Sequence, residues 1–455
     1  MRKPIVIMLF ITIFYPVLCS AGIDPVPFPA PFHEGLNVRE LLTVKDLTLG
    51  LWLQHRLMYN VSDIPGIRGT AFSDTRRYGF YRQRLRVGID VRTDGDAGAY
   101  FQLEYRGGWG GSSPKYSDPR DHLTQVNPFN RLQARGIRYG FMYARMNDML
   151  NISAGIIPLT DRVGRVLFDA DWDFNVGGIV CWGSVPTGEY RFAYSRLVEG
   201  VGSVNTLDAD RDEELLIVDY KPSSLHYIDL GSHLYRLLIP ETGETEYSFE
   251  DRLGDITDNQ TWIGFTARRK VSKFDIEGRL LLNRGSILDD SHLGIALSAS
   301  THFPVGGLSV DAMFLTVTGD PEGKTEDRFV TLHGLVGTEG YWGYTHIFTA
   351  SPPSDVNDLG LEIGNNGAGL VAFQARATLP IREELDLNFA GGLFRSSEPR
   401  NDSRDMGKEL SAAVTAHING YLDLDLGLAH AFMGDFYEKD SNDLTELFSR
   451  LQFTW

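Results

Sequence analysis

The chain is poor in cysteine, in basic charge and, past its first twenty or so residues, in long apolar runs. Its two cysteines are Cys19 and Cys181, and Cys19 falls in a leader, so Cys181 is left alone and an exported protein of this kind is not held together by internal disulfides. No stretch of about eighteen apolar residues follows the leader, which excludes a membrane-spanning helix. The formal charge is −17, and no nucleic-acid partner is expected. Catalytic signatures are missing too: the eleven histidines are scattered, with no HExxH, nucleophile elbow, P-loop, dinucleotide fingerprint or paired-cysteine metal site. His417 and His430, with Ser411 and Thr415 nearby, are the nearest thing to a catalytic group. The reading is that the protein is not an enzyme and carries neither cofactor nor resident metal.

What is present begins with that leader. Arg2 and Lys3 form a basic start, Ile5 to Leu18 an apolar core, and Cys19-Ser20-Ala21 places small residues where a signal peptidase inspects them, so residues 1–21 are expected to be removed. Leu18 stands where a lipobox needs a small residue. Residues 22–43, with Asp24-Pro25-Val26-Pro27-Phe28-Pro29-Ala30-Pro31-Phe32, form a Pro-rich, extended periplasmic segment too short for the plug of a TonB-dependent transporter.

From 44 to 455 the dominant signal is period-two alternation. Leu447, Leu451, Phe453 and Trp455 share one face of the last strand with Ser449, while Phe448, Arg450, Gln452 and Thr454 share the other. Similar runs include Leu47-Leu49-Leu51-Leu53, Leu85-Val87-Ile89-Val91, Ala99-Phe101-Leu103-Tyr105, Ile137-Tyr139-Phe141-Tyr143, Ile152-Ala154-Ile156, Phe274-Ile276, Leu293-Ile295-Leu297, Val371-Phe373, Leu410-Ala412-Val414 and Leu422-Leu424-Leu426-Leu428. Between 176 and 350 the alternation weakens. Short turns at Thr93-Asp94-Gly95-Asp96, Asn147-Asp148, Pro304-Val305-Gly306-Gly307 and Asn419-Gly420 alternate with long polar stretches at 59–78, 107–130, 158–175, 239–259, 350–367 and 396–407. The pattern predicts an all-β fold: a single transmembrane antiparallel β-barrel of about 18 strands (16–20), with short periplasmic turns, long external loops and an aqueous lumen. Such a protein resides in the outer membrane of a Gram-negative bacterium, among lipid and lipopolysaccharide, after insertion by the barrel assembly machinery.

Charge placement is the main functional clue. Residues 76–165 hold fifteen Lys or Arg against eight Asp or Glu, a local balance of +7 in an acidic chain. If Leu85, Val87 and Ile89 face lipid, Arg82, Arg84 and Arg86 face the lumen with Asp90 and Arg92, and the same parity turns Arg106 inward beside Glu104, and Arg138 likewise. A charge on the lipid face at mid-depth costs about 2–4 kcal/mol, which supports the inward assignment. Two readings stay open: the arginines pair with carboxylates such as Asp90, Glu104, Asp423 and Asp425, or they form an anion track in which one guanidinium hands a solute to the next. The stretch 158–175, with Arg162, Arg165 and the apolar Val166-Leu167-Phe168, suits a loop folded into the lumen as a constriction. Asp169, Asp171 and Asp173 fall on it and are read as solvated loop carboxylates rather than a calcium site.

This region also carries a family resemblance. A strand ending Ala154-Gly155-Ile156-Ile157-Pro158, an Arg-containing loop, then Asp169-Ala170-Asp171-Trp172-Asp173 and the Gly-rich strand start at Gly177-Gly178 resemble the alginate-export-like porins of Gram-negative outer membranes. The resemblance implies a monomeric 18-stranded barrel whose arginine-lined lumen passes a polyanionic polysaccharide. Anionic small molecules or polysaccharide are therefore the expected cargo, with a general diffusion porin lacking anion preference and a non-conducting structural or adhesive barrel as alternatives.

Overall fold

A computed structural model describes residues 39–65, 75–94, 97–108, 133–170, 174–198, 213–223, 228–238, 259–287, 290–320, 326–332, 342–354, 359–439 and 441–455. The expected signal 1–21 and residues 22–38 of the Pro-rich segment lie outside them. The strands in chain order are β1 (Arg39–Val44), β2 (Leu47–Pro65), β3 (Thr75–Thr93), β4 (Ala97–Gly108), β5 (Gln133–Asn147), β6 (Leu150–Pro158), β7 (Asn175–Val185), β8 (Gly188–Val198), β9 (Glu213–Pro222) and β10 (Asp229–Leu238). They continue as β11 (Gln260–Val271), β12 (Phe274–Ile287), β13 (Asp290–Val305), β14 (Leu308–Val317), β15 (Leu370–Arg382), β16 (Leu385–Arg400), β17 (Ser403–Asn419), β18 (Leu422–Met433) and β19 (Leu444–Thr454). Every consecutive pair is antiparallel, and β19 pairs with β2 from Glu446↔Ser62 to Thr454↔Gln54. Strands β2 to β19 thus close an 18-stranded barrel, as the alternation predicts, and β1 is a further short strand.

Closure follows from the solvent. Hydrocarbon offers no partner to a backbone N–H or C=O, so a sheet survives there only without edges. The seam ends at Leu53 and Trp455, whose amides and carbonyls exchange hydrogen bonds of 2.8 and 2.9 Å. Below that point the same edge of β2 is taken by β1, through Arg39↔Leu51 to Val44↔Leu47. Arg39 fastens the junction: its guanidinium lies 4.6 Å from the Tyr421 ring and donates to the Tyr421 hydroxyl at 2.9 Å, with Trp455 at 5.6 Å. β1 begins inside the stretch 22–43 that the sequence suggested would precede the barrel.

The outer face carries the apolar half of each alternation. Ile89, Phe101, Ile179, Phe192, Phe265, Phe314, Phe373, Phe389, Leu410, Leu426, Leu428 and Leu447 are all exposed there. Turn chemistry matches topology at Gly306 and Gly307, whose φ values of 56° and 91° close β13 onto β14 in two residues.

Three expectations need correction. On β5 the run Ile137-Tyr139-Phe141-Tyr143 does not share one face, because Gln102 pairs with Tyr139 while Leu103 pairs with Ile137, leaving Arg138 as an extra residue. Past this bulge the parity flips, so Tyr139 and Phe141 are buried inside against Tyr100. The stretch 396–407 is not a loop: β16 and β17 continue to a tight turn at Asn401-Asp402, both with positive φ. Polar residues there alternate beyond the membrane rather than leave the ladder. Finally, 350–367 is part of a longer segment between β14 and β15 that turns inward. Removing Phe453-Thr454-Trp455 would unzip the seam against β2, so the truncated protein is expected to lose heat-modifiable mobility in gels and surface exposure in cells.

Candidate functional site

Two segments fold against the inner wall. The first joins β6 to β7. Leu159, Val163, Leu167, Phe168 and Phe174 are buried, and Phe168 packs edge-on against Tyr235 of β10 with ring centroids 5.4 Å apart. Asp161 organises it: its carboxylate accepts the amides of Val163, Arg165, Leu167 and Phe168 at 2.6–3.1 Å. Burial pushes the Asp161 carboxyl above its usual range, and the four amides oppose that shift. The wall holds the segment from several strands. Arg138 donates to the Ala170 carbonyl at 2.7 Å, Arg191 to the Thr160 carbonyl at 3.0 Å, and the Arg162 amide to the Tyr235 hydroxyl at 3.0 Å. Arg191 and Tyr235 both reach Asp219 of β9, at 2.6 and 2.9 Å, and His233 Nδ1 lies 2.7 Å from the same carboxylate. This buried network fixes the segment across β8 to β10. Gly164, at φ 107°, sits so close to Arg279 of β12 that a β-carbon would fall 2.9 Å from its guanidinium.

The second segment runs between β14 and β15, where the sequence pattern shows only a polar stretch at 350–367. Phe329, Val330, Leu332, Trp342, Ile347, Phe348, Leu361 and Ile363 are buried in it. Its backbone is held by wall side chains. Trp262 donates to the Val330 carbonyl at 2.8 Å and Asn283 accepts the Val330 amide at 2.8 Å. Gln374 accepts the Tyr344 and Thr345 amides, and Glu409 of β17 accepts those of His346, Ile347 and Phe348 at 2.6–3.1 Å. Asn60 of β2 and Ser354 converge on Glu446 of β19. The available clue was apolar residues in a stretch with no strand period, which marks packing without a ladder.

The first segment therefore covers the arc from β5 through β12, and the second the arc from β11 round to β2. Between these two arcs lie β3 and β4, whose Tyr100 belongs to the same buried apolar cluster as the first segment. On that arc stand Arg82, Arg84 and Arg86, spaced about 7 Å apart along β3 by the strand rise, with Arg106 and Glu104 on β4 opposite Arg84 and Arg86. Glu104 is the hub: buried, it lies 2.5 Å from Arg86, 3.5 Å from Arg138 and 3.6 Å from Arg106. Arg86 and Arg138 are themselves buried, whereas the Arg106 side chain is 42% exposed and Arg82 and Arg84 are half-buried. Arg84 donates to Gln54 and Arg56 to Gln452, so neutral amides extend the arc onto β2 and β19. Asp90 accepts from Tyr143, Asp425 pairs with Arg450, and Asp423 with His417.

Not every expected constriction residue meets the lumen. Asp169 is fully buried, taking a hydrogen bond from Thr160 at 3.2 Å with Arg165 at 3.6 Å, while Arg165 is 42% exposed. Asp171 and Asp173 lie outside the described residues. Arg56, Asp161 and Glu409 were missed, since each acts on a segment distant in sequence or through backbone amides.

A closed ring of eighteen strands with an apolar outer band and a polar interior narrowed by inward segments defines a porin-type barrel of a Gram-negative outer membrane. The fold is shared with Pseudomonas aeruginosa OccK5 (OpdH), at 12% identity and TM-score 0.53 over 89% of this chain and 97% of that one. It is shared with Acinetobacter baumannii OccAB2, at 12% identity and TM-score 0.57 over 90% and 98%, and with Pseudomonas aeruginosa OccK8 (OprE), at 11% and 0.54 over 90% and 98%. At such identities the likeness is one of fold. No family model matches the chain, and no curated protein matches it. The solved structures that share the fold are Occ proteins rather than alginate-export porins, so the family that the 154–178 region suggested is not supported; that stretch builds the first inward segment.

Replacing residues 161–173 by a short linker should raise single-channel conductance in planar bilayers without loss of the heat-modifiable form; unchanged conductance would mean that the segment does not limit the pore. A second expectation concerns pH. Burial lowers the His346 imidazole to about 4, against an ordinary 6.5. A released segment takes up a proton at His346 that the docked one refuses, so this imidazole's own contribution to docking is full above pH 6.5 and is lost as pH falls toward 4, by on the order of 3 kcal/mol at the limit. Protease cleavage within 342–354 should therefore rise toward acid more in the wild type than in His346→Gln.

Proposed function

We propose that the protein is a passive outer-membrane channel for small anionic solutes, which pass the constriction along the arginine arc of β3 and β4. The observation that carries this is the exposure of Arg106, with the half-buried Arg82 and Arg84 beside it, on the stretch of inner wall between the strands that hydrogen-bond the two inward segments. The paired reading accounts for part of the column: Glu104 engages Arg86, Arg106 and Arg138. Among the described residues of this stretch, Asp90 and Glu104 stand against the five guanidinium groups of Arg82, Arg84, Arg86, Arg106 and Arg138, a positive balance, and an ion in a narrow bore responds to charges within about 8–10 Å rather than to the total of the chain. Guanidinium groups remain charged at any relevant pH and offer a fork to a carboxylate or phosphate, so spacing of about 7 Å allows transfer without one deep trap. Two inward segments favour a small solute over a polymer. The signal at 1–21 and the barrel assembly machinery would bring the chain to this membrane.

The structure also refines the variant that tests the idea. Arg86 and Arg138 hold Glu104 and the first inward segment, so charge reversal there would disturb the constriction itself. Arg82→Glu, Arg84→Glu and Arg106→Glu combined should move the reversal potential under a salt gradient from anion toward cation preference, with heat-modifiability kept. A wild-type pore that already prefers cations, or a triple variant with an unmoved reversal potential, would leave a general diffusion porin as the better account. Absence of conductance in the folded wild type would favour the structural barrel.

A further inference from the structure

We infer that the outer face of β15 to β18 carries a binding site for the phosphate groups of an outer-leaflet lipid, formed by Lys408 and Arg395 above an aromatic and aliphatic platform. The ladder places Phe314, Phe373, Leu393, Lys408 and Phe432 opposite one another on five successive strands, β14 to β18, all on the lipid-facing side. The four apolar members are exposed. Lys408 is the one charge in that row, and its ammonium lies 5.0 Å from the centroid of the Phe432 ring. Arg395 stands one outward position further along β16, opposite Val371, and is exposed as well.

Position along the strands decides what these cations meet. β18 ends at Met433, one residue past Phe432, so the row lies at the extracellular rim of the barrel. Beneath it run Leu410, Leu426, Leu428 and Leu447, the apolar band. At the bilayer midplane a lysine on this face would cost about 2–4 kcal/mol, but near the interface only about 0–1 kcal/mol, which sets Lys408 and Arg395 at headgroup depth. Nearby carboxylates do not absorb them: Glu398 pairs with Arg404, Asp443 lies 3.8 Å from His430, and Asp405, opposite Arg395 in the ladder, makes no ion pair with it among the described residues.

The platform argues for a lipid over a free anion. An acyl chain lying on Phe373, Leu393 and Leu410 is continuous with the hydrocarbon, and the lysine stem rises past it to present its charge at the surface. A soluble phosphate gains nothing from that surface. Anionic headgroups attract such residues individually, and two cations over one platform suit the paired phosphates of a glycolipid such as lipid A.

Native mass spectrometry of the detergent-purified barrel with bis-phosphorylated lipid A tests this. The wild type should retain the lipid, Lys408→Gln and Arg395→Gln should each cut occupancy about fivefold, and Lys408→Arg should restore it. Lipid A stripped of phosphate should bind the wild type and the double variant alike. Equal retention of the phosphorylated lipid by wild type and double variant would overturn the site. Displacement by inorganic pyrophosphate at concentrations comparable to the lipid, or equal retention of phosphatidylglycerol, would overturn the glycolipid as its occupant.

Discussion

The requirement that every backbone N–H and C=O at membrane depth find a partner within the sheet governs the rest of this molecule. It forces β19 onto β2, makes the last residues part of the seam, and leaves the lower edge of β2 to be covered by β1. Once the ring is closed, the pleat divides each strand between hydrocarbon and lumen, and the lipid-facing choice dictates the other. The arginines of β3 are inside because Leu85, Val87 and Ile89 are outside. No attraction between the arginines and a ligand is needed to place them.

An 18-stranded ring is wider than a selective channel requires, and the narrowing is done by segments with no ladder of their own. Their backbone groups must still be satisfied, and the solution recurs: a buried carboxylate gathers several amides. Asp161 does so from within its own segment, while Glu409 reaches from β17 into the other. Asp219 works one step removed, orienting Arg191 and Tyr235 toward the backbone of the first segment. These carboxylates hold backbone and wall side chains in place rather than border the lumen. The acidic total of the chain therefore says little about the field along β3 and β4.

The barrel was legible because alternation is a local property, repeated many times over. Eleven of its runs can be read singly, and an error in one leaves the fold class standing. The failures were at breaks in locality. Arg138 reads as an ordinary member of the alternation, whereas it is the buried extra residue of a bulge that brings Tyr139 and Phe141 inside as well. The 396–407 stretch reads as a loop because polarity above the membrane removes the hydrophobic contrast that makes a strand visible. The segment between β14 and β15 was lost because its apolar residues answer to Trp262, Asn283, Gln374 and Glu409, which lie scattered along more than a hundred residues of chain.

By itself the sequence determined that this is a large closed barrel of period-two strands, which end lies at the seam, and that a set of arginines on the second and third barrel strands turns away from lipid. Only the tertiary structure decided which of those arginines are buried and which are partly exposed, which strands the inward segments dock on, and what Asp161 and Glu409 hold. The physical reason is reach. Strand facing follows from each residue's immediate neighbours, while the lining of a pore depends on which distant segment comes to rest on which stretch of wall, and a single inserted residue can change the answer.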